Sequence, residues 1–131
     1  MPGDELILAI DNGTQSLKAA LFDPHGRLVA MEKEVFRPYV APQPGWAEQD
    51  PDVFWQALCR ACRRLWAGQR PAAGRVHGLA LTTQRGTVIN LDAQGQPLRP
   101  AMLWLDQRRT IDEPPLGGLW GLAFRLAGVR E

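Results

Sequence analysis

The sequence predicts an α/β domain: an antiparallel meander of three strands, extended by at least one parallel strand and flanked by a helix. Three observations predict it. Short apolar runs near the amino terminus are separated by tight turns, and the third of them alternates at period two. A stretch that begins near residue 50 repeats its apolar residues at helical spacing. A further apolar run follows this helix, and a strand that returns after a helical crossover most simply joins the sheet in parallel.

The first hairpin comprises two predicted strands, at about residues 5–10 and 17–23. They flank Asn12-Gly13, and an Asn-Gly pair between apolar runs is typical of a type I′ turn, in which both central residues need a positive φ. A second turn, centred on Gly26, leads into an alternating run over residues 27–36. The pattern therefore predicts a meander of three strands.

The helix is predicted over about residues 51–67. Asp50 can cap it, Pro51 suits the first helical position, and Gly68 ends it. The side expected to be buried carries Phe54, Ala57, Leu58, Ala61, Cys62 and Leu65. The side expected to be solvated carries Arg60, Arg63 and Arg64.

The remaining segments are predicted from turn residues and short apolar runs. Residues 37–49 hold three prolines and are expected to form an irregular loop. Residues 75–83 form the predicted fourth strand, and residues 87–91 and 101–104 are predicted to pair as a further hairpin. Residues 119–126 are apolar at helical spacing, although a glycine within them weakens a helix there.

Composition excludes several classes of protein. With 131 residues the chain is expected to form one domain. Its formal net charge is +1 and it has no basic run, so nothing points to nucleic acid or to an anionic membrane surface. No apolar run approaches the ~20 residues that span a bilayer. Cys59 and Cys62 lie mid-helix and are expected to pack rather than to bind metal or act as a redox pair. We therefore expect a cytoplasmic protein.

The first turn carries polar residues that a hairpin does not require. Asp11 precedes it, and Thr14, Gln15 and Ser16 follow Gly13. Backbone amides in a tight turn form a concave site for anions, and the hydroxyls add donors. A carboxylate beside such a site would repel phosphate unless a hard cation such as Mg²⁺ lay between them. These residues are consistent with a pocket for a magnesium-bound polyphosphate, and a purely structural hairpin is the alternative that they leave open.

The order of elements, with Asp-x-Gly-Thr in the first turn, resembles the ribonuclease-H-like half-domain of the actin, hexokinase and Hsp70 superfamily, also called the actin-like ATPase fold. Three further segments narrow the resemblance to FGGY carbohydrate kinases. They are Gly-Trp-Ala-Glu-Gln-Asp-Pro at residues 45–51, Thr-Gln-Arg-Gly-Thr at 83–87 and Trp-Leu-Asp-Gln-Arg-Arg-Thr at 104–110. Four signatures in this order are far more specific than any one alone.

The resemblance implies phosphorylation of a sugar or polyol hydroxyl, with ATP and Mg²⁺ as cofactors. It implies that Asp11 faces the metal and the γ-phosphate. The residues that it places around the ATP phosphates are Gly13, Thr14, Gln15, Ser16 and Lys18. Phosphoryl transfer depends mostly on positioning and on neutralising charge, so donors and a cation are the parts that it needs.

The resemblance also implies a substrate site, formed by Gln84, Arg85, Trp104 and Asp106. An arginine fork and a carboxylate complement paired hydroxyls, and Trp104 would form an apolar wall. Gly86 stands where glycerol kinases carry Glu, and xylulose kinases carry Met-His where this chain has Arg85-Gly86. A missing carboxylate would leave hydroxyls of glycerol unpaired at a cost of about 1–3 kcal/mol. A pentulose or related keto-sugar is therefore expected over glycerol.

Members of this family are several times longer than this chain. Residues 1–110 are interpreted as the N-terminal part of the first domain, and residues 111–131 as the start of a further, truncated segment. The family's catalytic base and adenine-binding subdomain are expected to lie outside the chain, so this fragment is expected to be inactive alone. Its expected partners are a sugar or polyol, the rest of the kinase chain and a second copy in a homodimer, with no nucleic acid and no membrane. A non-catalytic half-domain that binds a sugar or a partner chain is the alternative.

Overall fold

The computed structural model of the chain describes residues 5–68, 74–109 and 117–127. Its elements, in chain order, are β1 (Leu6–Asn12), β2 (Ser16–Phe22), β3 (Leu28–Val35), β4 (Glu48–Gln49), α1 (Pro51–Gly68), β5 (Val76–Thr83), β6 (Ala101–Met102) and α2 (Gly118–Leu126).

The main sheet has four strands in the order β3-β2-β1-β5. β1 is antiparallel to β2, β2 is antiparallel to β3, and β5 lies parallel to β1. This confirms the predicted mixed sheet, a meander extended by a parallel strand. Because β1 and β5 are parallel, their carboxyl ends lie side by side, and the segments that follow them meet at one edge of the sheet.

The core lies between the sheet and α1, which packs against β2 and β3. The buried strand residues are Leu6, Ile10, Leu17, Ala19 and Leu21, and the buried helix residues are Ala57, Ala61 and Leu65. These helix residues are part of the predicted apolar stripe, so the helix and its buried side are confirmed. Leu58 and Cys62 are partly buried against the same core, and burial raises the pKa of the Cys62 thiol, which suits packing rather than redox chemistry.

Charged residues join the outer side of α1 to β3. Arg60 Nε lies 2.7 Å from Glu34 Oε1, and Arg64 Nη2 lies 2.7 Å from Glu34 Oε2. The hydrogen bonds from Arg60 and Arg64 hold the pKa of Glu34 below its ordinary value. The predicted solvated side of the helix is thus partly exposed, but two of its arginines are tied to the sheet.

Two predictions about the turns and loops were wrong. The β1–β2 hairpin forms, but Gly13 is not among the glycines with positive φ, so the turn is not of type I′. The strands instead pair out to Asn12 and Leu17, and the chain reverses within the residues between them. The segment 37–49, expected to be irregular, ends in β4.

The predicted hairpin of residues 87–91 and 101–104 forms only in part. Its first half contains only two isolated bridges, Val88 with Met102 and Leu91 with Pro97. Residues of β6 pair with β4, so that Glu48 lies opposite Met102 and Gln49 opposite Ala101. Met102 also exchanges backbone hydrogen bonds with Val88 at 2.8 and 2.9 Å, so β6 pairs both with this segment and with β4.

Part of the apolar surface is uncovered among the described residues. Leu79 and Leu81 share the sheet face that α1 covers elsewhere, yet they are 67% and 63% exposed, because α1 lies over β2 and β3. The helix α2 forms where the spacing indicated one, and Leu119, Trp120 and Leu126 on it are exposed. In the part of the chain described, no helix has the length and apolarity needed to cross a bilayer.

Candidate functional site

The candidate site lies at the carboxyl ends of β1 and β5. The turn at residues 13–15 leaves β1 there, and the segment 84–87 leaves β5 beside it. The Gln84 backbone N–H donates to the Asn12 carbonyl oxygen at 3.1 Å. The two predicted motifs, one for phosphate and one for sugar, are therefore brought into contact although 70 residues separate Thr14 from Gln84.

Asp11 lies on the sheet face opposite α1, between a cation and a hydroxyl. Lys18 Nζ on β2 lies 3.1 Å from Asp11 Oδ2, and Thr82 Oγ1 on β5 donates to Asp11 Oδ1 at 3.4 Å. The register explains both contacts, because Asp11 pairs with Lys18 on one side and with Thr82 on the other. The Asp11 side chain is 51% exposed, so the carboxylate is open to solvent.

The turn after β1 presents unused backbone donors. The Gly13 N–H donates to the Ser16 carbonyl oxygen at 3.0 Å. A Cβ on Gly13 would lie 3.2 Å from that same oxygen, so a larger residue would require a small shift of the turn backbone. No acceptor among the described residues receives the backbone N–H of Thr14 or Gln15. Two adjacent free amides in a tight turn suit an anion.

The Thr14 hydroxyl is the point at which three segments meet. Thr14 Oγ1 donates to Gln84 Oε1 at 2.8 Å, and Trp104 Nε1 donates to Thr14 Oγ1 at 3.1 Å. The Trp104 side chain is otherwise largely exposed, so one face of the indole is available to a ligand. The predicted phosphate residue and two of the predicted sugar residues thus form one hydrogen-bonded group.

Arg85 and Gly86 form the tip of the turn after β5. Arg85 is exposed and has no hydrogen-bond or ion-pair partner in the part of the chain that the structure describes. Gly86 has a φ of +75°, and a Cβ built on it would lie 3.2 Å from Trp104 Cβ. A side chain at position 86 would be strained both by the backbone conformation and by this close packing. The structure therefore accounts for glycine at this position.

Asp106 is placed differently from the other predicted substrate residues. Its Oδ2 accepts hydrogen bonds from the Ala47 backbone N–H at 2.9 Å and from Arg108 Nη2 at 2.7 Å. Its Oδ1 accepts from Arg108 Nε at 2.8 Å, and only 3% of the side chain is exposed. The hydrogen bonds from Arg108, and then those from Ala47, hold the pKa of Asp106 well below its ordinary value. Both oxygens are occupied from within the protein, so this geometry does not favour Asp106 as a direct sugar ligand.

Arg108 connects this carboxylate to the loop before α1. Its Nη1 donates to Glu48 Oε1 at 2.8 Å, and its guanidinium carbon lies 4.0 Å from the centroid of the Trp46 ring. The Leu103 backbone N–H donates to the Ala47 carbonyl oxygen at 3.0 Å. These contacts fix the segment that carries Trp104 to the loop before the helix.

Sequence reasoning missed two contributors to this site. Thr82 was interpreted only as a strand residue, because the predicted parallel orientation did not include the register that places it beside Asp11. Arg108 lies in the signature at residues 104–110 but was assigned no role, and in the structure it holds Asp106 in place. Two buried polar atoms near the site, Asn12 Oδ1 and Thr87 Oγ1, have no hydrogen-bond partner within residues 5–68, 74–109 and 117–127.

A comparison with known protein families identifies the family to which this chain belongs. Residues 6–113 match the N-terminal domain of the FGGY family of carbohydrate kinases. The chain belongs to this family. The resemblance inferred from the four signatures is thereby confirmed, and so is the actin-like fold of carbohydrate kinases.

Individual relatives are kinases that act on small polyols and sugars. A glycerol kinase from Gloeobacter violaceus is 41% identical over 104 residues, which are 78% of this chain and 20% of that protein. Among solved structures, a xyloylose kinase from Brucella ovis has a TM-score of 0.76 at 33% identity, over 79% of this chain and 22% of that one. A Plasmodium falciparum glycerol kinase with ADP has a TM-score of 0.65 at 30% identity, over 79% and 21%. The chain therefore spans about a fifth of the length of these relatives.

Proposed function

We propose that this chain supplies the phosphate turn and part of the sugar site of an ATP-dependent sugar or polyol kinase. The observation that carries the proposal is the contact between the two motifs: Thr14 of the phosphate turn is bonded to Gln84 of the sugar turn at 2.8 Å. In-line phosphoryl transfer needs the γ-phosphate and the accepting hydroxyl to be adjacent. Two turns that meet at one edge of the sheet satisfy this requirement.

The residues around Asp11 fit a magnesium ion that is shared with a phosphate. No group of three metal-ligating side chains occurs among the described residues, and Asp11 is a single, half-exposed carboxylate. Mg²⁺ commonly keeps several waters and binds through one or two carboxylates plus substrate phosphates. When bound, it would neutralise charge on the phosphate oxygens.

The turn itself would hold the phosphates. The free amides of Thr14 and Gln15 supply neutral donors, and Gly13 leaves room for close approach. Ser16 adds a hydroxyl at the start of β2, and Lys18 adds a positive charge that pairs with Asp11 at 3.1 Å. Lys18 can move from the carboxylate to a phosphate, because the pair is exposed and such pairs are weak.

The sugar site would use Gln84, Arg85 and Trp104. Arg85 has donors without partners in the described chain, and the exposed indole offers an apolar wall. The absence of a carboxylate at Gly86 is the reason to propose a pentulose or related keto-sugar over glycerol, and the positive φ there opposes any larger residue. Asp106 is proposed as a positioning residue for the Trp104 segment.

A non-catalytic half-domain is the second candidate. The exposure of Leu79 and Leu81 on a sheet face that is buried elsewhere favours a partner chain over this surface. This candidate does not require phosphate to bind near Asp11. A measurement of phosphate binding therefore distinguishes the two proposals.

The deciding experiment is a binding assay on the 131-residue chain. Amide signals of the turn would be followed by NMR during titration with magnesium pyrophosphate, and then with D-xylulose, other pentuloses, hexuloses and glycerol. We expect pyrophosphate to shift the signals of Thr14 and Gln15, a pentulose to shift those of Arg85 and Trp104, and no release of ADP from ATP. If sugars bind and pyrophosphate does not, the kinase proposal fails and the half-domain remains.

A further inference from the structure

The Thr14 hydroxyl has only one hydrogen, and Gln84 receives it. A hydroxyl can donate once and accept twice. Here the hydrogen goes to Gln84 Oε1 at 2.8 Å, while the oxygen accepts from Trp104 Nε1 at 3.1 Å. The only hydrogen that the Thr14 hydroxyl can donate is therefore already bound to an acceptor within the protein.

A phosphate oxygen accepts hydrogen bonds and does not donate them. It can accept a hydrogen bond from the Thr14 hydroxyl only if that hydroxyl no longer donates to Gln84. We infer that Thr14 couples the two halves of the site: recruitment of its hydroxyl by a phosphate releases the Gln84 carbonyl oxygen, which is then free to accept from a sugar hydroxyl. This inference rests on the proposed function and extends it, because the hydrogen atom of the Thr14 hydroxyl links phosphate binding to sugar binding.

Trp104 holds the Thr14 oxygen in place while the hydroxyl changes its hydrogen-bond acceptor. Its N–H holds the Thr14 oxygen in place whichever acceptor takes the hydrogen, and Gly86 packs against Trp104 Cβ at 3.2 Å, measured from a Cβ built on the glycine. Asp106, held by Arg108 and Ala47, fixes the segment that carries the indole. The hydroxyl can therefore rotate between two acceptors without displacement of the backbone around it.

The coupling is reciprocal by thermodynamic linkage. A sugar hydroxyl that donates to Gln84 Oε1 weakens the hold of Gln84 on Thr14 and so favours phosphate binding by the same factor. One exchanged hydrogen bond corresponds to a coupling of about 2- to 10-fold.

The test follows Gln84 while phosphate alone is added. The 131-residue chain is titrated with magnesium pyrophosphate, and the side-chain amide of Gln84 and the indole N–H of Trp104 are observed by NMR. We expect the Gln84 signal to shift in the wild type and in Thr14→Ser, which keeps a hydroxyl, and to stay in place in Thr14→Val. Thr83→Val, which removes the neighbouring hydroxyl on β5, is the matched control and is expected to behave as the wild type.

A second variant removes the Gln84 carbonyl oxygen, which competes with phosphate for the Thr14 hydrogen, and it gives a stricter test of the inference. Gln84→Met keeps the size of the side chain and lacks the carbonyl, so it leaves the Thr14 hydrogen free. We expect this variant to bind pyrophosphate about 2- to 10-fold more tightly than the wild type. A purely structural hydrogen bond would give equal or weaker binding.

Different results would contradict the inference alone and the proposed function together with it. Pyrophosphate that shifts the Thr14 and Gln15 backbone amides but leaves the Gln84 side chain unchanged overturns the inference and leaves the proposed phosphate site standing. Equal or weaker binding by Gln84→Met also overturns it alone. If no amide of the turn responds to pyrophosphate, the proposed function and the inference fail together.

Discussion

Asp11 shows how a single residue acquires its neighbours from two other strands. It lies on β1, and the register places Lys18 of β2 and Thr82 of β5 on either side of it. Local sequence identified the carboxylate, because it precedes an unusually polar turn. It did not identify Thr82, whose contribution depends on which residue of a distant parallel strand lies opposite.

Asp11→Asn tests the proposed magnesium role. The substitution keeps the shape of the side chain and removes its charge, so magnesium should no longer strengthen pyrophosphate binding. We expect the affinity in magnesium to fall by about 10- to 100-fold, by analogy with the loss of metal-site groups. Without magnesium, binding should be at least as tight as in the wild type, because the repulsive charge is gone. Isothermal titration with and without the metal measures both values.

The control for this prediction is Asp52→Asn, which removes an exposed carboxylate in the first turn of α1. Its affinities should match those of the wild type. An unchanged magnesium dependence in Asp11→Asn, or a loss of sugar binding, would contradict the assigned role.

Asp106 gives a prediction about pH. Its pKa is lowered in the folded chain by Arg108, so the unfolded chain binds the proton more readily and the ionised carboxylate stabilises the fold. This stabilisation is complete above about pH 4 and is lost as the pH falls towards the lower folded pKa. We expect Asp106→Asn to unfold at lower urea than the wild type at pH 7, with a difference that narrows below about pH 4.

Gln107→Asn is the control, since it changes an exposed neighbour without a charge. Its difference from the wild type should be small and independent of pH. A constant difference between Asp106→Asn and the wild type from pH 7 to pH 2 would show that the carboxylate is not held as the structure indicates.

At the scale of elements, local signals predicted the strands of the meander, β5 and α1 well. Each of these carries a period that only one kind of element satisfies, and α1 adds a cap at its start. The same reasoning did not predict β4 and predicted β6 only as part of a longer strand, and each of them is two residues long. Elements so short carry no period, and their pairing is decided by which segments the core brings together.

The approach of α1 to the sheet depends on small residues. Ala57 and Ala61 are fully buried, and they let the helix lie close to β2 and β3. Ala61→Leu inserts a larger side chain into a packed contact and is expected to lower the free energy of unfolding by about 1–3 kcal/mol. Ala67→Leu, at an exposed position of the same helix, should change it by no more than about 0.5 kcal/mol. Urea unfolding of both variants checks this; equal effects would mean that α1 does not pack as described.

At the scale of the whole molecule, the exposed strand β5 is where we expect association with another chain. It lies at an edge of the sheet, and Leu79 and Leu81 on it are largely exposed. An exposed, apolar edge strand without charged residues is a site for association with another chain. The homodimer expected from the sequence remains a prediction, and this edge is where the structure would place it.

Sedimentation velocity over a range of concentrations tests this expectation. We expect the wild-type chain to associate as concentration rises, and Leu79→Lys with Leu81→Lys to remain monomeric, because charge on an edge strand opposes pairing. Leu98→Lys, at a leucine that is 66% exposed in a loop, should associate as the wild type does. A monodisperse wild-type monomer at all concentrations would contradict the prediction.

The sequence by itself determined the hairpin, the buried side of the helix and the four signatures of a carbohydrate kinase, because each is encoded in residues close together along the chain. It also determined the parallel orientation of the fourth strand, because a strand that returns after a helical crossover joins the sheet in parallel. Only the tertiary structure decided that Thr14, Gln84 and Trp104 share one hydroxyl, and that Asp106 is enclosed by Arg108 and Ala47. The physical reason is that a hydrogen bond forms over about 3 Å, while these partners, except the neighbours Asp106 and Arg108, lie many residues apart in the sequence. Their assignment therefore depends on strand register and on the packing of segments that no local pattern records.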